Sequence, residues 1–387
     1  MLDAMGIGLI LPVMPQLILD VQGGSLAQAA VWGGVLSTAF AVMQFLFSPG
    51  LGKLSDAHGR RPVLLVSLAV LTLDYLVMAL ASSIWLLLLG RLLGGITSAT
   101  QATAAAYMAD LSEPEEKSAN FGLIGAAFGA GFVLGPLIGG VLGTLGPRAP
   151  FYAAALLAGV NVLFGLAVLR ETVTDRIRQP FSWAGANPLR AFRAVAGLPG
   201  VAPLLAVFLL YSVALYVYPA IWAYFTQARF GWTPRVTGLS LALFGVTIAL
   251  VQGGLIRLAL HRLGDRGTVI CGLGLNLISF GLIALVTDGR LALILTPVAA
   301  LGAVVMPALQ GIMSRIAPDD AQGVLQGVLT SIHALAMIVS PLMMTGTFAA
   351  FTAATAPIHL PAAPFLLSML LLAAAMTVFL RARFAVA

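Results

Sequence analysis

The chain has 387 residues, of which 60% are hydrophobic and 9% charged, and its mean hydropathy is +1.02. Soluble domains carry about 25% charged residues, so this composition excludes a water-soluble fold and indicates a protein that crosses a lipid bilayer repeatedly. The net charge of +6 does not indicate a nucleic-acid partner, because the basic residues lie mostly between apolar runs. Cys271 is the only cysteine, which excludes an intrachain disulfide and a cysteine-cluster metal site.

Twelve apolar runs are long enough to cross a membrane, so we predict an all-α polytopic membrane protein. We place them near residues 2–19, 29–51, 63–81, 84–108, 119–143, 151–169, 200–225, 237–260, 268–287, 291–312, 322–348 and 362–380. With a cytoplasmic N-terminus, fifteen Lys and Arg residues fall in inside loops and four in outside loops. This bias follows the positive-inside rule and predicts that both termini are cytoplasmic.

The first run is unusual, since Asp3 is almost at the chain start and only residues 4–15 are free of polar side chains. A span needs about 20 mostly apolar residues. We therefore hypothesise that the first helix is truncated and that the natural chain begins upstream.

The longest polar interval, 171–199, is predicted to be a cytoplasmic linker between two six-helix halves, 1–170 and 200–387. An internal repeat supports this division. A shift of 205 residues places Gly59 on Gly264, Gly122 on Gly327 and Pro136 on Pro341. One shift that holds at separate sites indicates a duplicated six-helix unit.

A charged stretch between the second and third runs, residues 52–62, reads G-K-L-S-D-A-H-G-R-R-P and is predicted to be a tight loop. Its two glycines permit close helix approach and a sharp reversal, and its Asp can accept charge-assisted hydrogen bonds. The pattern resembles the loop signature of the major facilitator superfamily, in which the Asp and Arg form a latch that opens and closes as two halves rock. The resemblance implies gating roles for Gly52, Asp56, Gly59, Arg60 and Arg61.

The fifth run has glycines at four-residue spacing, Gly131, Gly135 and Gly139, with Pro136 among them. Small residues at this spacing let helices pack closely, and a proline frees a backbone carbonyl and bends the helix. The pattern G-x-x-x-G-P-x-x-G-G resembles the fifth-helix signature of antiporters in the superfamily, which symporters usually lack. The resemblance favours an exporter and implies gating roles for Gly135, Pro136 and Gly139.

Two acids, Asp3 and Asp74, lie within predicted spans. A charge at the centre of a span costs about 2.5–3.5 kcal/mol on insertion scales, so both are candidates for coupling to a proton gradient. The alternatives are a solvated position at the membrane mouth for Asp3 and a structural hydrogen bond for Asp74. Arg91 lies in a stretch that resembles the fourth-helix Arg element of proton-linked family members. It can pair with either acid or extend to the outer interface.

Other polar side chains within spans are candidates for substrate binding. They are Gln44, Gln252, Asn276, Gln310 and His333, together with Tyr211 in an aromatic-rich seventh run. Amides within spans commonly bridge helices, so packing is the alternative for each. The aromatic residues of 211–224 are either an interfacial belt or the wall of a cavity for a planar ligand. The belt interpretation fits the C-terminal members best.

Several stretches resemble the bacterial tetracycline/proton efflux group: 2–15, 52–68, 73–76, 107–110, 306–310 and 325–327. By position, the resemblance implies membrane roles for Asp3 and Asp74 and a gating role for Asp110. That group has an acid in its ninth span, where this chain has Asn276. Because asparagine cannot release a proton, coupling here is expected to shift to Asp3, Asp74 or another group, or to change in stoichiometry. The group's metal–tetracycline substrate therefore does not follow from the shared fold.

We therefore expect a monomeric twelve-helix transporter that exports a small amphipathic compound or drug in exchange for protons, by alternating access. Its expected partners are the lipid bilayer, the substrate and protons, with no nucleic acid and no cofactor, in the bacterial inner membrane. The alternatives are uniport or import of a sugar or organic acid, for which Arg91 is the internal cation, and a non-transporting membrane sensor. An enzyme is not expected, because the sequence has no recognisable nucleophile arrangement or phosphate loop.

Overall fold

The structure is a computed structural model. It describes residues 1–98, 100–113, 116–173, 201–318 and 321–382, without the side chains of residues 3, 100–102, 117–119 and 121. Within these ranges the chain is helical apart from short turns and connections. The described residues fall into two units, one within Met1–Ala186 and Thr233–Ala242, the other within Asn187–Trp232 and Leu243–Ala387.

Six helical spans, α1 to α6, precede residue 174. They are α1 (Leu2–Ile10, Leu11–Val13 and Met14–Gln22), α2 (Leu26–His58), α3 (Arg60–Leu80), α4 (Ile84–Ile96 and Thr100–Leu111), α5 (Lys117–Leu142) and α6 (Ala149–Val168). α2 begins with a capping box, in which Ser25 and Gln28 each accept a hydrogen bond from the other's backbone N–H. The Ser83 hydroxyl caps α4 by accepting from the backbone of Leu86.

Six further spans, α7 to α12, follow residue 200. They are α7 (Val201–Leu215 and Val217–Phe230), α8 (Pro234–Leu250, Val251–Leu255 and residues 256–263), α9 (residues 265–285), α10 (Gly289–Ala300, Leu301–Val304 and Val305–Ile316), α11 (Gln322–Thr352) and α12 (Ala363–Arg381). α8 and α9 meet at Gly264, whose φ of 65° interrupts the helix. The Val251–Leu255 turn of α8 is π-helical and contains Gln252.

Ten helical stretches in the described ranges are long and apolar enough to span a membrane. One of them, Pro234–Leu285, contains both α8 and α9, while α4 consists of two shorter helices. Counting α8 and α9 separately and adding α4 gives the twelve predicted spans, so the all-α polytopic fold class is confirmed. The first span, Ala4–Gln22, has 19 residues and is longer than its apolar run suggested, and a truncated start stays a prediction.

The two halves share helix boundaries as well as single residues. The shift of 205 residues that relates Gly59 to Gly264 also relates the ends of α3–α5 to those of α9–α11. It pairs Leu80 with Leu285, Ile84 with Gly289, Thr100 with Val305, Leu111 with Ile316 and Lys117 with Gln322. The repeat therefore extends to the local structure of three consecutive helices in each half.

The loop predicted at 52–62 is much shorter in the structure. α2 continues to His58 and α3 begins at Arg60, so Gly59 alone forms the turn, with a φ of 110° that glycine adopts readily. The predicted loop was too long, because an established helix can extend through polar residues at little cost in free energy. Of the predicted linker, only residues 171–173 are described, and the division at 171–199 stays a prediction.

α5 packs on α1 along the glycine stripe predicted from sequence. An added Cβ at Gly131, Gly135 or Gly139 would meet α1 backbone atoms. Pro136 lies within α5 beside this stripe. The first residues of α8 belong to the same unit, and a Cβ at Gly238 would meet the carbonyl oxygen of Pro136. The close packing predicted for this helix is therefore present.

Candidate functional site

Asp74 of α3 and Arg91 of α4 form an ion pair within the membrane-spanning part of the first unit. The Asp74 side chain is fully buried and that of Arg91 is 10% exposed. Arg91 thus binds one of the two acids suggested for it instead of extending to the interface. The side chain of the other acid, Asp3, lies outside the described residues.

Two glycines and an aromatic ring surround this pair. A Cβ at Gly90 or Gly94, which lie one turn apart on α4, would stand 2.8 Å from a carboxylate oxygen of Asp74. The guanidinium carbon of Arg91 lies 5.2 Å from the ring centroid of Phe40 on α2. A cation at this distance is attracted by the negative face of the ring. The pair is therefore enclosed by α2, α3 and α4.

Two polar atoms of the pair make no hydrogen bond within the described part of the chain. Asp74 Oδ1 and Arg91 Nε are buried and have no hydrogen-bond partner among the described residues. A buried acceptor without a donor carries a desolvation penalty of about 1–3 kcal/mol or more. The Asp74–Arg91 pair is therefore not a fully hydrogen-bonded structural bridge.

α4 and α10 are interrupted at equivalent positions. α4 breaks after Ile96, and the shift of 205 residues carries this point to the turn Leu301–Val304 of α10. In the first unit, the Gln44 amide lies 3.5 Å from the carbonyl oxygen of Ser98 at the break, at the limit of a hydrogen bond. Interrupted helices at corresponding positions of two halves are typical of transporter binding sites.

In the second unit, side chains from α7 and α9 meet the α10 break. The Tyr211 hydroxyl donates to the carbonyl oxygen of Gly302 at 3.1 Å, and the Asn276 amide nitrogen lies 3.4 Å from the same oxygen. Asn276 also donates to the Tyr211 hydroxyl at 3.3 Å. Asn276 is fully buried, and its Oδ1 has no partner among the described residues. The structure thus brings two predicted substrate-binding residues together and leaves one acceptor unused.

The other predicted substrate-binding residues do not join this cluster. Gln252 and His333 are exposed, Gln310 is half-buried, and none of the three hydrogen-bonds to another described residue. Trp222 and Tyr224 of α7 are buried within the second unit, 1% and 4% exposed. The interfacial-belt interpretation is therefore wrong for these two residues, because their rings pack against other helices and do not face lipid.

Arg60 at the start of α3 contacts two carboxylates. It pairs with Asp56, one turn earlier at the end of α2, and its Nε donates to Asp110 Oδ2 at 3.2 Å. Its Nη1 also donates to the Ser55 hydroxyl at 3.1 Å. Three of the residues with predicted gating roles are therefore in direct contact within the first unit.

Glu171, which follows α6, is a residue that sequence reasoning missed. Its carboxylate accepts from the backbone N–H of Arg60 at 2.8 Å and of Arg61 at 3.2 Å, two of the free N–H groups at the start of α3. It also accepts from the backbones of Thr172 and Val173. Partial burial raises the pKa of Glu171, but the four backbone hydrogen bonds outweigh it and hold the pKa below its usual value.

Two side-chain contacts join the end of α6 to the same region. The Thr172 hydroxyl donates to Asp110 at 3.0 Å, and Arg61 Nη2 donates to the carbonyl oxygen of Leu166 at 2.8 Å. A Cβ at Gly59 would collide with the Glu171 carboxylate. A Cβ at Gly52 would meet no described atom within 4 Å. The close approach predicted there is therefore absent from the described residues, because no other described segment lies against α2 at this residue.

Two related sets of membrane-spanning helices, interrupted at equivalent points and containing a buried ion pair, define a multi-pass membrane transport protein. The particular family follows from direct comparison. The family model described as Major Facilitator Superfamily matches residues 1–341. The chain belongs to this superfamily.

Individual relatives agree with the assignment. The chain is 42% identical over 350 residues to the class C tetracycline resistance protein of Escherichia coli, covering 90% of this chain and 87% of the relative. The crystal structure of the human organic anion transporter MFSD10 (TETRAN) is 27% identical, with a TM-score of 0.67, covering 98% of this chain and 96% of that one. An inward-facing bacterial homologue of the human lysosomal transporter Spinster is 17% identical, with a TM-score of 0.81, covering 100% and 96%; it shares the fold.

Proposed function

We propose that the chain exports a small amphipathic drug, with tetracycline as the first candidate, in exchange for protons and by alternating access. The 42% identity to a tetracycline resistance protein supports the substrate class, and the buried Asp74–Arg91 pair carries the proposal of proton coupling. We place the protein in the bacterial inner membrane as a monomer with both termini cytoplasmic. The proton gradient supplies the energy, without a cofactor or an enzymatic step.

Asp74 is the group to which we assign the proton. The ionised carboxylate pairs with Arg91, so the pair is neutral as a whole. Protonation of Asp74 removes that attraction and leaves the Arg91 cation unpaired within the membrane, which is unfavourable. A conformation that admits water or substrate to Arg91 then gains in stability over the packed one. Protonation and conformation become linked in this way, as an antiporter requires.

We assign polar contacts with the substrate to the cluster of Tyr211, Asn276 and Gly302. The unused Asn276 Oδ1 suits an N–H or O–H donor on an uncharged part of the drug. Because asparagine does not ionise, the cluster would bind substrate without carrying a proton. Gln44 is proposed to act at the equivalent α4 break, with Gln252, Gln310 and His333 as further contacts.

Transport of an organic anion is the second candidate, which the fold and 27% identity shared with the human organic anion transporter favour. An organic anion requires a cation in the binding site. Arg91, a buried cation of the first unit, is already neutralised by Asp74 and only 10% exposed. This geometry favours drug export over anion transport.

The test is tetracycline uptake by everted membrane vesicles under an imposed pH gradient. We expect wild-type vesicles to accumulate tetracycline, and Asp74→Asn vesicles to lose the accumulation because residue 74 can no longer exchange a proton. Asp20→Asn is the matched control, since Asp20 pairs with Arg148 but is 47% exposed. Unchanged pH-driven uptake by Asp74→Asn would contradict the proton assignment. If the wild type does not transport tetracycline but releases protons when another amphiphile is added, the proposed substrate is wrong and the proposed antiport is retained.

A further inference from the structure

An ion pair in the second unit occupies the positions of the Arg60–Asp110 pair with its charges exchanged. The shift of 205 residues carries Arg60 to Asp265 and Asp110 to Arg315. Asp265 and Arg315 are in contact, with a distance of 2.5 Å between carboxylate oxygen and guanidinium nitrogen. The attraction between two opposite charges is the same whichever position holds which sign. The two halves therefore have an ion pair at equivalent positions, with the acidic and the basic residue exchanged.

A second contact is repeated beside this pair. In the first unit Arg61 donates to the carbonyl oxygen of Leu166 near the end of α6, and in the second Arg266 donates to that of Leu380 near the end of α12 at 3.1 Å. Leu166 and Leu380 each lie seventeen residues after the first residue of their helix. The same helix-end carbonyl is thus bound in both halves, although the loop signature itself is degraded in the second.

The backbone at this point is repeated as well. Gly59 and Gly264, which directly precede the charged residues, have φ values of 110° and 65°. Both angles lie in the region that glycine adopts readily and other residues rarely adopt. Each glycine ends one helix and begins the next, so Arg60 and Asp265 each occupy the first position after a sharp turn.

We infer that Asp265, Arg315 and Arg266 form a second gating cluster, which holds the ends of α9, α10 and α12 together during the transport cycle. Asp265 and Arg315 are positioning residues: they keep the second half moving as one body and do not contact the substrate. The contact of Asp56 has no counterpart among the described residues of the second unit, since His261 replaces Asp56 at the shifted position. The second connection is therefore the weaker of the two.

Amide hydrogen exchange of the purified full chain tests the inference without any substrate. Asp265→Asn and Arg315→Gln should each accelerate exchange at residues 262–267 and 309–316 by about threefold, because a partly exposed pair contributes little. The exchanged pair, Asp265→Arg with Arg315→Asp, should restore the wild-type rates. Arg262→Gln, an exposed arginine of the same segment without an ion pair to a described residue, is the matched control.

Measurements of the tetracycline transport rate and of the Kd for tetracycline show whether Asp265 and Arg315 position the helices or bind the substrate. Each single variant should reduce the transport rate in vesicles while the Kd for tetracycline stays within about twofold of wild type. Exchange rates unchanged by both single variants, or an exchanged pair that stays impaired, would overturn the inference. Faster exchange with normal transport would also overturn it. If wild type does not transport tetracycline, the proposed substrate fails, and the exchange rates alone decide the second cluster.

Discussion

The start of α3 obtains its cap from the segment that follows α6. A helix usually receives an acceptor for its first N–H groups from the side chain of the residue before it. Here that residue is Gly59, which has no side chain and is required by the positive φ. Glu171 supplies the acceptor instead, to the backbones of Arg60 and Arg61. One carboxylate thereby connects the end of α6 with the turn between α2 and α3.

Replacement of Glu171 should weaken this connection. We expect Glu171→Ala to lower the free energy of unfolding by about 1 kcal/mol, because the carboxylate is exposed and water compensates part of the loss. Thermal unfolding in detergent measures the change. Glu113→Ala removes an exposed acid near the end of α4 and serves as control. Equal melting temperatures for the two variants would contradict the capping role.

The lowered pKa of Glu171 predicts a pH dependence with a definite sign. A carboxylate whose pKa is lower in the folded state stabilises the fold above its usual pKa, here 4.5, and the contribution is lost as the pH falls through the lowered value. The difference in melting temperature between wild type and Glu171→Gln should be constant above pH 5 and shrink below pH 4.5. A melting-temperature difference that grows as the pH falls would contradict the lowered pKa of Glu171.

At the scale of helices, α5 depends on its contact with α1. The two backbones approach so closely that an added Cβ at Gly139 would meet the backbone of Leu9, and one at Gly135 would meet Gly8. At Gly129 of the same helix a Cβ would meet no described atom within 4 Å. The glycines of α5 therefore lie on two faces, the packed stripe and an open face, which sequence spacing alone does not distinguish.

Alanine substitutions at the two faces of α5 should have opposite effects on thermal stability. Replacing a helical glycine by alanine favours the helix by up to about 1 kcal/mol, whereas overpacking costs about 1–3 kcal/mol. Gly129→Ala should therefore raise the melting temperature slightly, and Gly139→Ala should lower it. Because both changes alter helix propensity equally, their difference isolates the α1 contact. Loss of stability to the same extent in both variants would exclude this explanation.

At the scale of the whole molecule, the two halves differ at the buried ion pair. The repeat holds on both sides of this region, and the same shift carries Asp74 to Ser279 and Arg91 to Thr296. Both of these residues are buried and neutral. Proton coupling is therefore assigned to the first half, while the connections at the helix ends occur in both halves.

Replacing Asp74 and Arg91 by the residues at the equivalent positions of the second half should separate their effect on stability from their effect on proton coupling. Asp74→Ser alone leaves Arg91 as an unpaired buried charge and should destabilise the protein by about 3–5 kcal/mol. The double variant Asp74→Ser/Arg91→Thr should recover much of that stability, because loss of a whole buried pair is far milder than loss of one partner. Melting temperature and pH-driven tetracycline uptake are the measurements. A double variant that still couples uptake to protons would refute the assignment.

Much of the architecture was predictable from the sequence. Hydropathy is a local property, and a bilayer requires each span to satisfy its own backbone, so the apolar runs along the sequence determined the twelve helices. The repeat was readable because glycine and proline keep their positions at separate sites. Asp74 and Arg91 were recognisable because charges within spans are unfavourable and need a reason.

Only the tertiary structure decided which side chains meet. The Asp74–Arg91 contact, the capping of α3 by Glu171 and the exchanged pair of Asp265 and Arg315 each join residues from different elements of the chain. The same holds for the burial of Trp222 and for the packed face of α5. Such contacts depend on the rotation and approach of whole helices, which no local pattern specifies, whereas the existence of each helix depends on its own residues and the bilayer around it.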